Sequence, residues 1–179
     1  VIKRDCPVMV MIGNPPYSIS SQNKGEWIQG LLDCYKKNLN EKKLNLDDDY
    51  IKFIRLGQHY VEKNGSGILA YISNNSFIDG ITHRQMRLTL MQVFDEIYIL
   101  DLHGNSRKQE VATDGSKDEN VFDIMQGVSI NIFVKTGRKE KGELAKVYHQ
   151  NIYGTREYKY SCLNDASLSS VQWTELTQA

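Results

Sequence analysis

No run of apolar residues in this chain approaches the roughly 20 needed to cross a bilayer as a helix, and no secretory leader is visible at its start. An excess of either charge is also missing: 22 Lys and Arg balance 22 Asp and Glu, for a net charge of zero. Proteins that hold nucleic acid through bulk charge show a basic excess, so that support is weak here, although a basic groove on an otherwise acidic surface stays open. Cysteine is scarce. The three present, Cys6, Cys34 and Cys162, are an odd number without metal-ligand spacing, so a reducing, cytoplasmic setting is expected. Internal repeats and low-complexity segments are absent. What remains is 179 residues, the length of one domain.

The most informative residues are Asn14-Pro15-Pro16-Tyr17. They follow the apolar run Val8–Ile12, with Gly13 as the joint. A short apolar run bounded by Pro7 and Gly13 reads as a buried strand. Two successive prolines then fix φ twice and remove two backbone donors, and Pro15 pushes Asn14 away from helical geometry. The result is a stiff loop at the carboxyl end of a strand, which is where ligands bind in open α/β sheets. Its chemistry suits an exocyclic amine on a planar base. Asn14 Oδ1 and the Pro15 carbonyl are able to accept the two amine hydrogens, and Tyr17 offers an aromatic face for the ring. Drawing those hydrogens out of the base plane frees the nitrogen lone pair for attack on an electrophile. The plainer alternative is a turn stiffened by proline.

Farther along, Trp27, Ile28, Leu31, Leu32 and Tyr35 recur at helical spacing. Asp47-Asp48-Asp49 opens a second helix, with Tyr50, Phe53, Ile54, Gly57, Tyr60 and Val61 as its buried face and Asn64-Gly65 as its end; capping is preferred over a metal site for the acidic triplet. Strands are expected at 68–72, 96–102 and 127–135, the last antiparallel and hairpin-like against 96–102. A helix carrying Met86, Leu90 and Val93 is expected to be capped by Thr82 or Asp79, with Arg84 and Arg87 on its other face, solvated or meeting phosphate. His103 is read as structural rather than as a base. Residues 106–120 read as an exposed loop without core residues, partly disordered or ordered by nucleic acid. A further strand is expected around Ala145–His149.

Gly13–Ser18 after a hydrophobic strand resembles the catalytic motif of amino-methyltransferases, especially N6-adenine DNA methyltransferases. Four later segments resemble that family in order: Asp48–Ile54, Gly65–Phe77, Phe94–Asn105, and Asn120–Ile124 followed by Gly127–Ile130. The whole is similar to the large single-chain restriction-modification enzymes of the Type ISP and Type IIG kind over roughly residues 5–160. The resemblance implies a partial Rossmann-like class I S-adenosylmethionine-dependent methyltransferase fold of the α/β class, with the last strand antiparallel. It implies Asn14, Pro15, Pro16 and Tyr17 as catalytic residues, Asn75, Phe77 and Ser18 at the substrate, and Asn14 at the cofactor. Phe77 is left between a second stacking ring and a plain core aromatic.

The implied partner is double-stranded DNA with a flipped adenine, and the implied setting is the bacterial cytoplasm, with no membrane. The family's cofactor loop lies upstream of the motif, and only thirteen residues precede Asn14. The chain is therefore expected to be the downstream part of a catalytic domain, inactive alone, that associates with a missing N-terminal half or with itself. Residues 1–136 are expected to be catalytic, and 137–179 a linker and connector toward a target-recognition domain. Open alternatives are an RNA adenine or protein glutamine acceptor, or a non-catalytic fragment that binds DNA or completes a partner.

Overall fold

The computed structural model describes residues 7–17, 21–41, 46–112 and 114–177. In chain order the elements are β1 (Val10–Gly13), α1 (Glu26–Lys36), α2 (Asp49–Asn64), β2 (Gly67–Asn74), the single turn α3 (Ser76–Asp79), α4 (Arg84–Val93), β3 (Glu96–His103), β4 (Val128–Lys135), β5 (Lys146–Asn151), α5 (Arg156–Asp165) and β6 (Thr174–Leu176). The six strands form one mixed sheet ordered β1-β2-β4-β3-β5-β6. β1 runs parallel to β2 and β3 parallel to β5. The class is the expected α/β. The expected antiparallel strand is present and pairs with β3 as expected, and it also pairs with β2, so that β4 lies between the two.

Period-two alternation divides the core between the two faces of the sheet. Along β3, Ile97 and Ile99 join the larger cluster with Leu32 and Tyr35 of α1, Ile51 and Ile54 of α2, and Leu90 of α4. Leu100 and Leu102 join a smaller cluster with Val121 and Val128, against which Leu163 and Trp173 pack. Asp48 caps α2, its side chain accepting from the Tyr50 N–H, and Gly65 ends the helix at φ 80°, a left-handed cap that glycine adopts without strain. Gly57 is needed for close approach: a Cβ there would lie 2.5 Å from the Leu69 side chain.

Five expectations need correction. β1 is not a buried, central strand. It is the last strand on its side of the sheet, and Met9, Val10 and Ile12 are 43%, 53% and 79% exposed, because nothing in the described residues covers them. Neither Thr82 nor Asp79 caps α4. A 3₁₀ turn over Ile81–His83 runs straight into it, and no side chain caps that end. Arg87 is not on a solvated face either, since its guanidinium donates to the Phe77 and Gly80 carbonyls, both at 2.8 Å. Trp27 leaves the apolar face of α1, lying exposed and edge-on to His59.

The fifth concerns the segment after β3, which is not merely exposed loop. Lys159 of α5 is fully buried against Asp118, 2.7 Å away, both side chains having no exposed area. The ammonium also donates to the Leu102 and Glu119 carbonyls. Asp118 in turn accepts from the Gly104 and Gly154 N–H groups. Asn120 donates to the carbonyls of Gly104 and Gln126, closing the segment on itself. Low apolar content conceals this arrangement because the segment is held by polar groups satisfied inside it.

Two outcomes are expected. Lys159→Met strands the Asp118 carboxylate, so unfolding free energy in urea falls by about 3–5 kcal/mol; a loss below about 1 kcal/mol would contradict the clip. The exposed apolar β1 edge is expected to make the chain self-associate. Sedimentation velocity should therefore show oligomers that Ile12→Lys converts toward monomer, and a monomeric wild-type chain would refute this.

Candidate active site

The loop after β1 stands at the carboxyl ends of β1 and β2, which the parallel register Gly13↔Tyr71 places side by side. Asn14 and Pro16 are exposed, Pro15 is buried and Tyr17 is half-buried. The Tyr17 hydroxyl donates to Asn14 Oδ1 at 3.1 Å and lies 3.5 Å from the Ile72 carbonyl. Its ring packs against both core clusters. Tyr17 is therefore turned toward the protein, and its hydroxyl orients the Asn14 amide. A carbonyl oxygen has two lone pairs, so one acceptor position on Asn14 Oδ1 remains, and Asn14 Nδ2 makes no hydrogen bond among the described residues. Burial pushes the Tyr17 phenol up to about 12.

Under this loop lies a polar layer in the sheet. Asn131 of β4 donates from Nδ2 to Ser73 Oγ at 3.1 Å and to the Tyr71 carbonyl at 3.4 Å, while Ser129 Oγ donates to Asn131 Oδ1 at 3.0 Å. All three side-chain positions are buried. Beside it, Asn75 Nδ2 donates to Asp101 Oδ1 at 2.9 Å, and the Asn75 N–H donates to the Gly127 carbonyl. Gly127 admits this contact because a Cβ would sit 2.7 Å from the Asn75 amide. Asp101 also accepts from the His103 N–H. The His103 ring stacks on Tyr153 with centroids 3.9 Å apart and bonds Asn151 Oδ1 at 2.7 Å. A ring so engaged on both sides serves structure.

Of the sequence-derived candidates, Asn14, Pro15, Pro16 and Tyr17 form one continuous loop, and Asn75 sits at the carboxyl end of the neighbouring strand. Phe77 is 2% exposed inside the larger core, next to the Tyr50 ring, which is the core role left open for it. Ser18 lies outside the described residues. Asp101, Ser129 and Asn131 went unnoticed, although a polar residue within an otherwise apolar strand marks each one.

Residues 9–107 match the model of a family described as Eco57I restriction-modification methylase. The structure is similar to the ATP-dependent Type ISP restriction-modification enzyme LlaBIII bound to DNA, with 29% identity and TM-score 0.79 over 91% of this chain and 11% of that one. It is similar to DrdV in a DNA complex (26%, TM-score 0.82, 98% and 18% coverage). It also shares the fold of a nuclease-deletion mutant of the Type ISP enzyme LlaGI with a DNA substrate mimic (23%, TM-score 0.81, 99% and 15%). The chain thus spans 11–18% of the length of these proteins. No curated protein sequence matches it.

The raised Tyr17 phenol sets a pH dependence. The folded chain keeps a proton up to about 12 that an unfolded tyrosine releases near 10, so the contribution is full below about pH 10 and is lost as pH rises toward 12. Stability measured against pH should fall less steeply over that window in Tyr17→Phe than in wild type; equal slopes would contradict the burial.

Proposed function

The chain belongs to the Eco57I restriction-modification methylase family, and from that premise we propose that it carries the acceptor side of a site-specific N6-adenine DNA methyltransferase. The observation that carries this reading is the Asn14–Tyr17 loop at the carboxyl end of β1, with one acceptor position of Asn14 Oδ1 oriented and free. A duplex adenine leaves the stack to reach such a pocket. Its amine hydrogens go to Asn14 Oδ1 and the Pro15 carbonyl, and the nitrogen lone pair is aimed at the electrophile. Tyr17 provides the stacking face once its ring turns outward. Asn75, anchored by Asp101, shapes the wall beyond β2. The rate then comes from orientation and exclusion of water, and no side chain of the loop needs to act as a strong base.

When bound, S-adenosylmethionine supplies a methyl group on a sulfonium. Asn14 fits its border, since its side chain is exposed and its Nδ2 has no partner among the described residues. The rest of that site we assign to a longer protein carrying this chain. DNA as the substrate is supported by relatives described in complex with it. The zero net charge means that DNA contact has to come from local grouping of donors. In this reading residues 137–179 lead on toward a target-recognition domain, although β5 and β6 themselves continue the sheet.

The test is Asn14→Ala in the full-length protein, with N6-methyladenine measured in DNA and with RNA and protein offered as alternative acceptors. Turnover should fall by at least about 10²-fold, the scale for loss of one preorganised polar contact to a reacting group. Wild-type turnover, or product on another acceptor only, would overturn the assignment.

A further inference from the structure

Between the start of α2 and the ends of β2 and β3 lies a cleft of about 390 Å³, large enough for a ligand group. Tyr50 lines it and is 1% exposed, and its buried hydroxyl has no hydrogen-bond partner among the described residues. A buried hydroxyl without a partner is costly and calls for a ligand or water to complete it. Burial, reinforced by the charge of Asp48, raises the Tyr50 phenol, so it stays protonated and able to donate.

Several other lining groups are donors too. Asn74 Oδ1 is taken by the Ser76 N–H and hydroxyl, and Asn105 Oδ1 by the Arg107 and Lys108 N–H groups. Each amide therefore has its NH₂ group left over. The side chains of Gln126 and the exposed Arg107 make no hydrogen bond among the described residues. The acids of the cleft are already engaged: Asp47 by Lys52 at 2.6 Å and by Gln29, Asp48 by the Tyr50 N–H. Lys108 is paired with Asp79.

We propose that this cleft seats a backbone phosphate of the DNA strand, held by Tyr50, Asn74, Asn105, Gln126 and Arg107. A phosphodiester only accepts hydrogen bonds, and a wall of unused donors with a free guanidinium answers that chemistry. Its place also decides the source. β4 is antiparallel to both β2 and β3, so the carboxyl ends of β1, β2 and β3 share one edge of the sheet. A strand presenting a base to Asn14 then passes the cleft with a neighbouring phosphate. This assignment rests on the DNA reading above.

The experiment measures duplex DNA binding by fluorescence anisotropy across a salt series for wild type, Tyr50→Phe, Arg107→Ala and Asn14→Ala in the full-length protein, with thermal melts. Arg107→Ala should weaken binding and reduce the salt slope by about one. Tyr50→Phe should weaken binding by roughly 5-fold or more without lowering the melting temperature, because deleting an unsatisfied hydroxyl does not harm the free protein. Asn14→Ala should keep the wild-type salt slope, so failure of the catalytic assignment is read separately from failure of the cleft. Unchanged DNA affinity and slope in both cleft variants would overturn the proposal. So would inorganic phosphate at matched ionic strength stabilising wild type but neither variant while DNA binding is indifferent to both substitutions, since the cleft would then take free anion only.

Discussion

The insertion of β4 between β2 and β3 is the constraint on which the rest depends. Eight residues of β4 pair antiparallel with all of β2, and seven pair on the other side with β3. Because β4 opposes both neighbours, their carboxyl ends emerge on the same edge as that of β1. A slip of one residue would turn every side chain of β4 to the wrong face. Apolar pattern resists this, and so does the polar layer: Asn131 reaches Ser73 and the Tyr71 carbonyl only in the register Tyr71↔Asn131 and Ser73↔Ser129. A buried amide out of register would lose those partners at about 1–3 kcal/mol for each unsatisfied group. The same register brings Gly127 under Asn75, so the pairing that builds the sheet also sets one wall of the site.

The long segment between β3 and β4 answers to a second constraint. It contains few apolar residues, and its order depends on Lys159 reaching down from α5. Burying an ammonium and a carboxylate together gains little net free energy over a hydrophobic pair. What it supplies is direction. Asp118 accepts three contacts with its two oxygens, from the Lys159 ammonium and from the Gly104 and Gly154 N–H groups, and each fixes a different stretch of chain. Asn120 then holds Gly104 and Gln126 at the two mouths of the segment. The segment after β3 is thus placed in part by a helix that follows β5.

Much of this is legible in the amino-acid sequence. The helices around Leu32 and Ile54, the strands at 68–72 and 96–102, the glycine stop at Gly65 and the antiparallel strand all follow from period, capping and the family resemblance, and the match to the methylase family bears out that resemblance. What escaped has a common physical cause. The exposure of β1 depends on what lies beside it, and Val8–Ile12 reads the same whether covered or bare. The Lys159–Asp118 pair joins residues 41 positions apart in sequence, and neither residue differs locally from a solvated charge. Phe77 could be core or stacking ring from its letter alone, and only packing beside Tyr50 decides its surroundings. Asp101 and Asn131 were visible as polar breaks in apolar strands, but their partners come from other strands.

Tyr17 shows how the loop reconciles two demands. In this structure its hydroxyl holds Asn14 and its ring fills space against both cores, whereas a stacking role needs that ring turned toward the base. The two positions exclude each other. The exchange is affordable on general magnitudes: each hydrogen bond given up is worth about 1 kcal/mol net, and the longer contact to the Ile72 carbonyl, at 3.5 Å, less than that. Stacking one base on an aromatic ring returns about 1–3 kcal/mol. The difference is small enough for the base itself to tip the balance, while Pro15 and Pro16 keep the backbone from following the ring. On the proposed reading, the loop holds its acceptor through Tyr17 when empty and gives up that hydrogen bond when the ring turns to stack, after which the amine hydrogens of the base take over the Asn14 oxygen.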